Sequence, residues 1–568
     1  MKEPTRPIHQ PTVEADGSLV AHTVATPTSF KVRARVTIGS RKVIPVIFVP
    51  GIMGSNLRVR QDVDASEDGA IKPGMAAWRP PNGPYDSYRE AAVWAGRPPK
   101  DRQKILDAHV LEVDPDGELD YPLASLDDKL RHERGWGEVH ASSYGSLLVD
   151  LQRHLDKTFQ VSPHGIRKVR QYWRRVMQCE PERWGARTVA TVTEAELEKY
   201  AGFQYPVYAF GYNWLESGAV SARRLRERID AIKKFWTDRK HECRKVILVT
   251  HSMGGLVARA CARLSESGGS GTSDIAGIVH AVMPALGAPV AYRRIACGTE
   301  GSQYTNGPFD NFKAWKFSQV AGLTSAETTP IMATAPGVLQ LLPNQHYPRP
   351  WISIKTLRKV NQEDQVRDLL ALPDGNPYDF YRDMSSWYRM IDPRLADPAL
   401  AHKDNPNGIK PLVIAAIDEA ERFHTHDLMI GGGKGASSMP YYHPNTYAFY
   451  GADASLKAYG QVRWAARETG VAGVALTPAN IRGARPVSTA DDGSREVEVA
   501  KGLRLRFMMW PQDAHGDETV PVVSAAAVEK HARAIFSPKG FRHQDSFQQE
   551  DMLLLTRHLI VKIVQDVT

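Results

Sequence analysis

The sequence predicts an α/β protein built on a mostly parallel sheet with helices on both faces. Three observations lead to this fold class: short apolar runs rich in β-branched residues recur along the chain, helical patterns follow two of them, and two long stretches interrupt the series. Runs that are apolar throughout, with no polar alternation, are typical of strands covered on both faces. We therefore expect one core sheet with two large lid-like insertions.

The first two core strands are predicted at 43–51 and 205–214. The run VIPVIFVPG at 43–51 is short and apolar, and its final Pro-Gly indicates a loop. The run YPVYAFGYNW at 205–214 leads into a helical pattern over ESGAVSARRLRERIDAIKKFW. The apolar residues that recur there at helical spacing are Leu225, Ile229, Ile232 and Trp236.

The later core elements continue the alternation of strand and helix. RKVILVT at 244–250 predicts a buried strand, with GGLVARACARL as its helix, and IAGIVHAVMP at 275–284 predicts the next strand. TYAFYG at 446–451 and LRLRFMMW at 503–510 are interpreted as further strands of the same sheet. The final SFQQEDMLLLTRHLIVKIV predicts a long helix packed on that sheet.

Two stretches, roughly 56–204 and 290–440, are too long to be simple loops, so we expect insertions with structure of their own. Their tryptophans are expected mostly in local cores, with the lining of an apolar pocket as the alternative for a minority. These tryptophans are Trp78, Trp94, Trp136, Trp173, Trp184, Trp315, Trp351 and Trp387. The predicted segments are a polar N-terminal segment (1–40), a core strand with its loop (41–55), insertion 1 (56–204), core (205–289), insertion 2 (290–440) and core (441–568).

Composition excludes several classes of protein. With 42% hydrophobic and 24% charged residues the chain is typical of a folded soluble protein. The N-terminus lacks the apolar region of a secretory signal, and no uncharged apolar run reaches about 18 residues. The 4 cysteines have no CxxC spacing, which argues against a disulfide scaffold and a zinc site. We expect reduced thiols and a protein made without a signal peptide.

The net charge of +8 favours an anionic partner, either phospholipid head groups or nucleic acid. The densest basic stretch, RKVRQYWRRV at 167–176, would suit a head-group interface, although a solvated surface element is the favoured interpretation. Basic residues are scattered among 64 acidic ones instead of forming one stripe, so no nucleic-acid partner is expected.

The segment LVTHSMGGLVARA at 248–260 places Ser252 between a predicted strand and a predicted helix. A strand-turn-helix elbow exposes such a serine above the sheet and requires small residues nearby, which Gly254 supplies. Thr250 stands where the G-x-S-x-G motif has its first glycine, and a serine that caps an ordinary helix is the alternative. Ser252 is thus a candidate nucleophile that needs a base and an acid elsewhere in the chain.

The segments HGDETVP at 515–521 and GFRHQDSF at 540–547 supply an acid and a base in the order Ser, Asp, His. Asp517 would orient the imidazole, and His543 would take the Ser252 proton and pass it to the leaving group. Taken alone, Asp517 could be a turn carboxylate and His543 a surface histidine. His515 is too close to the acid to be the base, and His558 is expected to pack within the last helix.

The segment FHTHD at 423–427 is dense in residues of the types that bind Ca²⁺ or Zn²⁺. No third ligand has a recognisable spacing, so ordinary polar contacts are expected there and no metal is predicted.

Ordered motifs resemble those of the lecithin:cholesterol acyltransferase and lysosomal phospholipase family. They are PVIFVPGIMGSNL at 45–57, GYNW at 211–214, LGAP at 286–289, FYG at 449–451 and GDETVP at 516–521. The resemblance implies that the Ile52 and Met253 amides form the oxyanion hole. VTHSMGG is closer to the GPI-inositol deacylase-like proteins, and with PALGAP, HPNTYAFYGAD and FRHQ the pattern is most similar to bacterial type VI secretion phospholipase effectors of the deacylase-like group.

This resemblance implies an α/β-hydrolase fold and a serine lipase that cleaves fatty-acyl esters of membrane phospholipids without a cofactor. It also implies an antibacterial effector delivered to the periplasm or membrane of a target cell, with a cognate immunity protein and a secretion-apparatus spike protein as partners. An intracellular esterase, an acyltransferase of the same fold and a non-catalytic binding protein are the alternatives.

Overall fold

The computed structural model describes most of the chain, with gaps. The described residues are 12–13, 19–20, 40–66, 69–80, 92–119, 126–161, 167–186, 189–267, 274–299, 320–361, 363–431, 438–468 and 476–567. The predicted polar segment 1–40 therefore lies largely outside the described residues, as does Trp315. No helix in the described ranges is long and apolar enough to cross a membrane.

A six-stranded parallel sheet forms the centre of the protein. Its strands are β1 (Val46–Val49), β2 (Val207–Ala209), β3 (Val246–His251), β4 (Ile275–Ala281), β5 (Thr446–Phe449) and β6 (Ala534–Phe536). They lie in the order β6-β5-β4-β3-β1-β2, and every neighbouring pair is parallel. This is the α/β core that the apolar runs predict.

The strands are apolar throughout because both faces of the sheet are covered. In β1, Val46 and Phe48 belong to one hydrophobic cluster, whereas Ile47 and Val49 belong to another. Successive side chains of a strand point to opposite faces, so the two clusters are the two layers that flank the sheet.

Four helices matter for the site: α1 (Ala141–His154), α2 (Gly218–Asp238), α3 (Gly254–Ser267) and α4 (Glu550–Val564). Helix α2 buries the apolar positions that the helical spacing predicts, and α4 packs on β4. Other α-helices are Pro99–Ile105, Asp128–Glu133, Gln171–Gln178, Glu194–Tyr200, Pro289–Cys297, Ser325–Met332, Pro336–Leu339, Pro377–Arg382, Lys410–Arg422, Pro478–Arg482 and Val522–Ala525.

A second six-stranded sheet, mostly antiparallel, is built from later parts of the chain. In spatial order its strands are Glu363–Leu372, Ile352–Val360, Val462–Arg467, Leu503–Met509, Arg495–Ala500 and Arg485–Thr489. The expectation that the strand at 503–510 joins the parallel sheet is therefore wrong. Leu503–Met509 buries every second residue, as a strand with one solvated face does.

The remaining strands form small sheets in the insertions and near the termini. One sheet has Leu57–Val59 between Ala76–Trp78 and Leu111–Val113. The two-stranded ribbons are Thr12–Val13 with Leu19–Val20, Phe159–Val161 with Arg167–Val169, Met429–Ile430 with Met439–Pro440, and Asp453–Ala458 with Ala514–Gly516. The predicted segment boundaries stay predictions. Between the strands Asp453–Ala458 and Ala514–Gly516, however, the chain runs through the second sheet and not through the parallel sheet.

The tryptophans of the two insertions are buried wherever the structure describes them. Those with at most 4% exposure are Trp78, Trp94, Trp136, Trp173, Trp184, Trp351 and Trp387. They serve the local cores of these regions.

Candidate functional site

Loops that follow the core strands meet at one edge of the parallel sheet, because the carboxyl ends of parallel strands lie together. Ser252 follows β3 directly and adopts a left-handed backbone conformation with φ of +51°. A side chain at Gly254 would collide with the Pro50 carbonyl oxygen, so α3 can approach the loop after β1 this closely only with glycine there. The turn, strained at a non-glycine residue, is the strand-turn-helix elbow that the sequence predicts.

The three side chains predicted as nucleophile, base and acid lie in one hydrogen-bonded row. His543 Nε2 lies 2.8 Å from Ser252 Oγ, and His543 Nδ1 lies 2.8 Å from Asp517 Oδ2. The His543 amide also donates to the Asp517 carbonyl at 2.9 Å, which fixes the two loops relative to each other. The exposed fractions are 4% for Ser252, 1% for Asp517 and 9% for His543.

Asp517 is held by its own turn. Its Oδ1 accepts the Thr519 and Val520 amides at 3.1 and 2.8 Å, which leaves Oδ2 for His543. A Cβ at Gly451 would lie 2.7 Å from the Asp517 Cβ, so the FYG glycine makes room for the acid at the end of β5. The neighbouring Glu518 pairs instead with Arg542 at 3.3 Å.

The two predicted oxyanion donors lie on the loops that flank Ser252. Ile52 belongs to the turn after β1, which is closed by a hydrogen bond from the Gly54 amide to the Gly51 carbonyl at 3.1 Å, and Met253 follows the serine. Within the part of the chain that the structure describes, neither the Ile52 nor the Met253 amide has a hydrogen-bond acceptor. Trp78 of the first insertion fixes the turn by donating from Nε1 to the Met53 carbonyl at 2.9 Å.

Two further residues in contact with the site were not predicted, His251 and Tyr144. His251 Nε2 lies 3.0 Å from the His543 carbonyl oxygen, and its Nδ1 lies 3.1 Å from the Tyr144 hydroxyl. The same hydroxyl accepts the Gly51 amide at 3.2 Å. Burial, together with the nearby His543, lowers the pKa of His251 to about 3, so its ring is neutral at neutral pH. His251 stands in the VTHSMGG motif, but Tyr144 lies 107 residues away and has no local signal.

The other histidines considered in the sequence do not belong to the hydrogen-bonded row of Ser252, His543 and Asp517. His515 is exposed on the ribbon before Asp517, and His558 is buried in α4 against Trp184, with ring centroids 5.6 Å apart. His424 of the FHTHD segment has both ring nitrogens occupied, by the Tyr378 hydroxyl at 2.8 Å and the Gln340 carbonyl at 2.8 Å. In the described residues no cluster of three or more His, Cys, Asp or Glu could hold a metal ion.

The basic stretch at 167–176 forms the strand Arg167–Val169 and the first part of the helix Gln171–Gln178. Arg167 pairs with Glu198 and Arg175 with Glu550, both at 2.6 Å, while Trp173 is fully buried. These contacts favour the interpretation as a structural surface element over that of a head-group site.

Comparisons with known proteins agree with this architecture. Residues 203–303 match the family model described as a PGAP1-like alpha/beta domain. The solved structure titled "The crystal structure of Tle4-Tli4 complex" contains a chain that is 28% identical, with a TM-score of 0.70 over 92% of this chain and 99% of that chain. These two matches confirm the predicted α/β-hydrolase fold and the resemblance to deacylase-like effectors.

A second solved structure, phospholipase PlaB from Legionella pneumophila, is much less similar. It is 11% identical over 54% of this chain and 72% of that chain, and its TM-score of 0.14 carries no structural argument. Among curated proteins, none is significantly similar in sequence to this chain.

Proposed function

From the premise that residues 203–303 are a PGAP1-like α/β domain, we propose that this protein is a serine lipase that hydrolyses fatty-acyl esters of membrane phospholipids. The observation that carries the proposal is the row Ser252 Oγ, His543 Nε2, His543 Nδ1 and Asp517 Oδ2, with 2.8 Å at each junction. A serine hydroxyl becomes a useful nucleophile when a base accepts its proton in this way.

The reaction proceeds in two halves. His543 removes the Ser252 proton while Oγ attacks the ester carbonyl carbon, and the imidazolium then gives that proton to the departing alcohol oxygen, which leaves an acyl-serine. In the second half His543 deprotonates a water that attacks the acyl-serine, and returns the proton to Ser252 Oγ as the fatty acid leaves. Asp517 keeps the Nδ1 proton of His543 in place, so that Nε2 faces the serine.

The oxyanion of each tetrahedral intermediate is assigned to the Ile52 and Met253 amides. Two backbone donors that are already oriented stabilise negative charge as it forms, and removing one such donor typically costs about 10² to 10³ in kcat. The absence of an acceptor for either amide in the described part of the chain supports this assignment.

The substrate is proposed to reach Ser252 only after the surface over it moves. Ser252 is 4% exposed, so its side chain is almost fully covered by the surrounding protein. The prediction that the two insertions act as lids or caps is therefore kept as part of the proposal. The fatty-acyl chain would lie in the groove that such a movement opens.

The biological context proposed is that of an antibacterial effector of type VI secretion, delivered to the periplasm or membrane of a target cell. The 28% identity to Tle4 over 92% of the chain supports it, and a structure of Tle4 determined in complex with Tli4 supports a cognate immunity protein as partner. A secretion-apparatus spike protein is a further proposed partner.

The proposed chemistry is tested by mass spectrometry of the products that wild type and Ser252→Ala release from phospholipid vesicles, with and without an added alcohol. We expect free fatty acid and lysophospholipid from wild type and neither from Ser252→Ala, because the remaining site has no nucleophile. A fatty ester of the added alcohol as the main product would indicate an acyltransferase. Equal turnover by the two proteins would remove Ser252 from the reaction.

The effector context needs a separate test in cells. Wild type directed to the periplasm by an added signal peptide should stop growth and alter phospholipid composition, and Ser252→Ala should relieve both effects. Coexpression of the product of the neighbouring gene should restore growth if that product is the immunity protein. Unchanged growth and phospholipids with active enzyme in the periplasm would favour an intracellular esterase.

A further inference from the structure

Helix α1 of the first insertion contacts the loop after β1 and the loop that carries the base. At its N-terminus the His140 amide donates to the Gly54 carbonyl at 3.0 Å. One turn later Ser143 Oγ accepts a hydrogen bond at 2.9 Å from Nε2 of Gln544, the residue that follows His543. A helix from an insertion thus joins two of the loops that the proposed reaction uses.

Tyr144, on the same helix, continues this contact into a hydrogen-bond chain whose direction can be deduced. A carbonyl oxygen only accepts, so His251 Nε2 must donate to the His543 carbonyl at 3.0 Å. The buried neutral ring then has an unprotonated Nδ1, which must accept the Tyr144 O–H at 3.1 Å. The Tyr144 oxygen in turn accepts the Gly51 N–H at 3.2 Å. Every donor in the chain therefore has one acceptor.

We propose that Tyr144 and His251 are positioning residues that couple the oxyanion loop to the base loop, through the chain Gly51 N–H to Tyr144 O–H to His251 to the His543 carbonyl. The inference rests on the proposed hydrolase function and deepens it. It assigns no proton transfer to His251: its ring keeps the Nε2–H tautomer throughout the reaction. The chain holds the Gly51 peptide, and with it the Ile52 amide, in register with His543.

The glycines of the PG-x-x-G turn supply an independent observation. A Cβ at Gly51 would lie 2.8 Å from His251 Nδ1, and a Cβ at Gly54 would lie 2.7 Å from the Tyr144 hydroxyl. Both distances are shorter than any normal contact of a Cβ. The turn therefore has no side chain at the two positions that His251 and Tyr144 approach.

The first test is Tyr144→Phe, with Tyr200→Phe as the matched control. Both tyrosines are fully buried and donate one hydrogen bond, but the Tyr200 hydroxyl donates to the Leu155 carbonyl at 3.0 Å, away from the site. The Tyr144 ring keeps its packing on Phe48, with centroids 4.7 Å apart, so the variant should fold. With a soluble short-chain ester we expect Tyr144→Phe to lower kcat about 10- to 100-fold at unchanged KM, and Tyr200→Phe to leave both unchanged.

The second test separates coupling from packing. His251→Gln keeps an amide donor for the His543 carbonyl, whereas His251→Leu removes it, so Gln should retain more of kcat than Leu. Because both residues act through one chain, the double variant Tyr144→Phe/His251→Gln should be no slower than the slower single variant. Independent structural roles would multiply the two losses.

Fluorophosphonate labelling of Ser252, measured on the same variants, distinguishes the possible failures. If wild type is labelled and Tyr144→Phe reacts as fast as Tyr200→Phe, the coupling is overturned while the hydrolase proposal stands. Multiplicative losses in the double variant would also overturn the coupling. If wild type itself neither reacts nor hydrolyses esters, the proposed function is overturned, and the positioning role with it.

Discussion

The first insertion and the second sheet differ in what their polar groups contact. Helix α1 of the first insertion directs Ser143 and Tyr144 at the loops that flank Ser252. In the second sheet the buried Arg495 donates to the carbonyls of Trp387 and Arg389. The first region thus bonds to loops of the proposed site, whereas Arg495 of the second bonds to carbonyls of other segments.

This difference separates two contributions of polar groups, one to the geometry of the proposed site and one to the stability of the fold. A region whose hydrogen bonds end on the loops of the proposed triad should affect kcat, whereas a region whose hydrogen bonds end elsewhere should affect the free energy of unfolding. The predictions that follow separate these two outcomes.

The largest effect is expected at the acid, which neither region supplies. Asp517→Asn should lower kcat by about 10⁴, because an amide nitrogen facing His543 Nδ1 favours the wrong tautomer of the imidazole. Glu518→Gln is the matched control, since Glu518 pairs with Arg542. Equal losses at 517 and 518 in a steady-state ester assay would mean that the acid has been misassigned.

Arg495→Met should weaken the second sheet without slowing catalysis. It removes a guanidinium that is 6% exposed and donates to the carbonyls of Trp387, Arg389 and Ala296. We expect the free energy of unfolding to fall by about 3 to 5 kcal/mol in urea titrations, with kcat per labelled Ser252 unchanged.

The exposed Arg504→Met, on a neighbouring strand of that sheet, is its control and should cost at most about 1 kcal/mol. A large loss of kcat in folded Arg495→Met would contradict the separation between the two regions.

Gly54→Ala tests the contact of the first insertion with the oxyanion turn. The added methyl group would lie 2.7 Å from the Tyr144 hydroxyl and 3.0 Å from the Gly51 carbonyl oxygen, so the turn must shift. A displacement of this kind should lower kcat about 100-fold, and the collision with a buried ring should lower the free energy of unfolding by about 1 to 3 kcal/mol. Gly375→Ala has no atom within 4 Å of its new methyl group and should behave as wild type. Full activity of Gly54→Ala would show that the turn tolerates the shift.

Acid should destabilise the fold through two buried histidines, by a similar amount per pH unit while the pH stays above about 4. Burial lowers the pKa of His251, beside α1, to about 3 and that of His424, in the predicted second insertion, to about 4, from 6.5. The unfolded chain binds the extra protons, so the stability that is present above pH 6.5 is lost as the pH falls towards those values.

Each of these histidines should contribute about 1.4 kcal/mol per pH unit below pH 6.5. His251→Gln and His424→Gln should therefore flatten the pH dependence of the unfolding free energy alike, and only His251→Gln should also slow catalysis. If unfolding is equally steep in acid without either histidine, their burial does not govern it.

Local sequence predicts most strands of the core and names the three side chains of the proposed triad. The elbow around Ser252 is a local strand-turn-helix pattern, and the acid and base follow it in the order that parallel strand ends can bring together. Of the neighbouring carboxylates Asp517 and Glu518, Asp517 lies beside His543, and its Oδ1 accepts the Val520 amide at 2.8 Å.

The strand Leu503–Met509 belongs to the second sheet and not to the parallel sheet in which the sequence analysis placed it. The sequence nevertheless carries a signal for this position. Leu503, Leu505 and Phe507 alternate with exposed Arg504 and Arg506 in this strand. Alternation with period two indicates one solvated face, whereas the true core strands are apolar throughout.

What the sequence by itself determined is therefore what depends on near neighbours: the periodicity of the core strands and helices, and the elbow that places Ser252 at the end of β3. Only the tertiary structure decided which sheet each strand joins and that Tyr144 meets Gly51, 93 residues away. The physical reason is that a strand's hydrogen-bonding edges and a buried hydroxyl's partner are satisfied across the whole fold, where no local pattern selects among the available donors and acceptors.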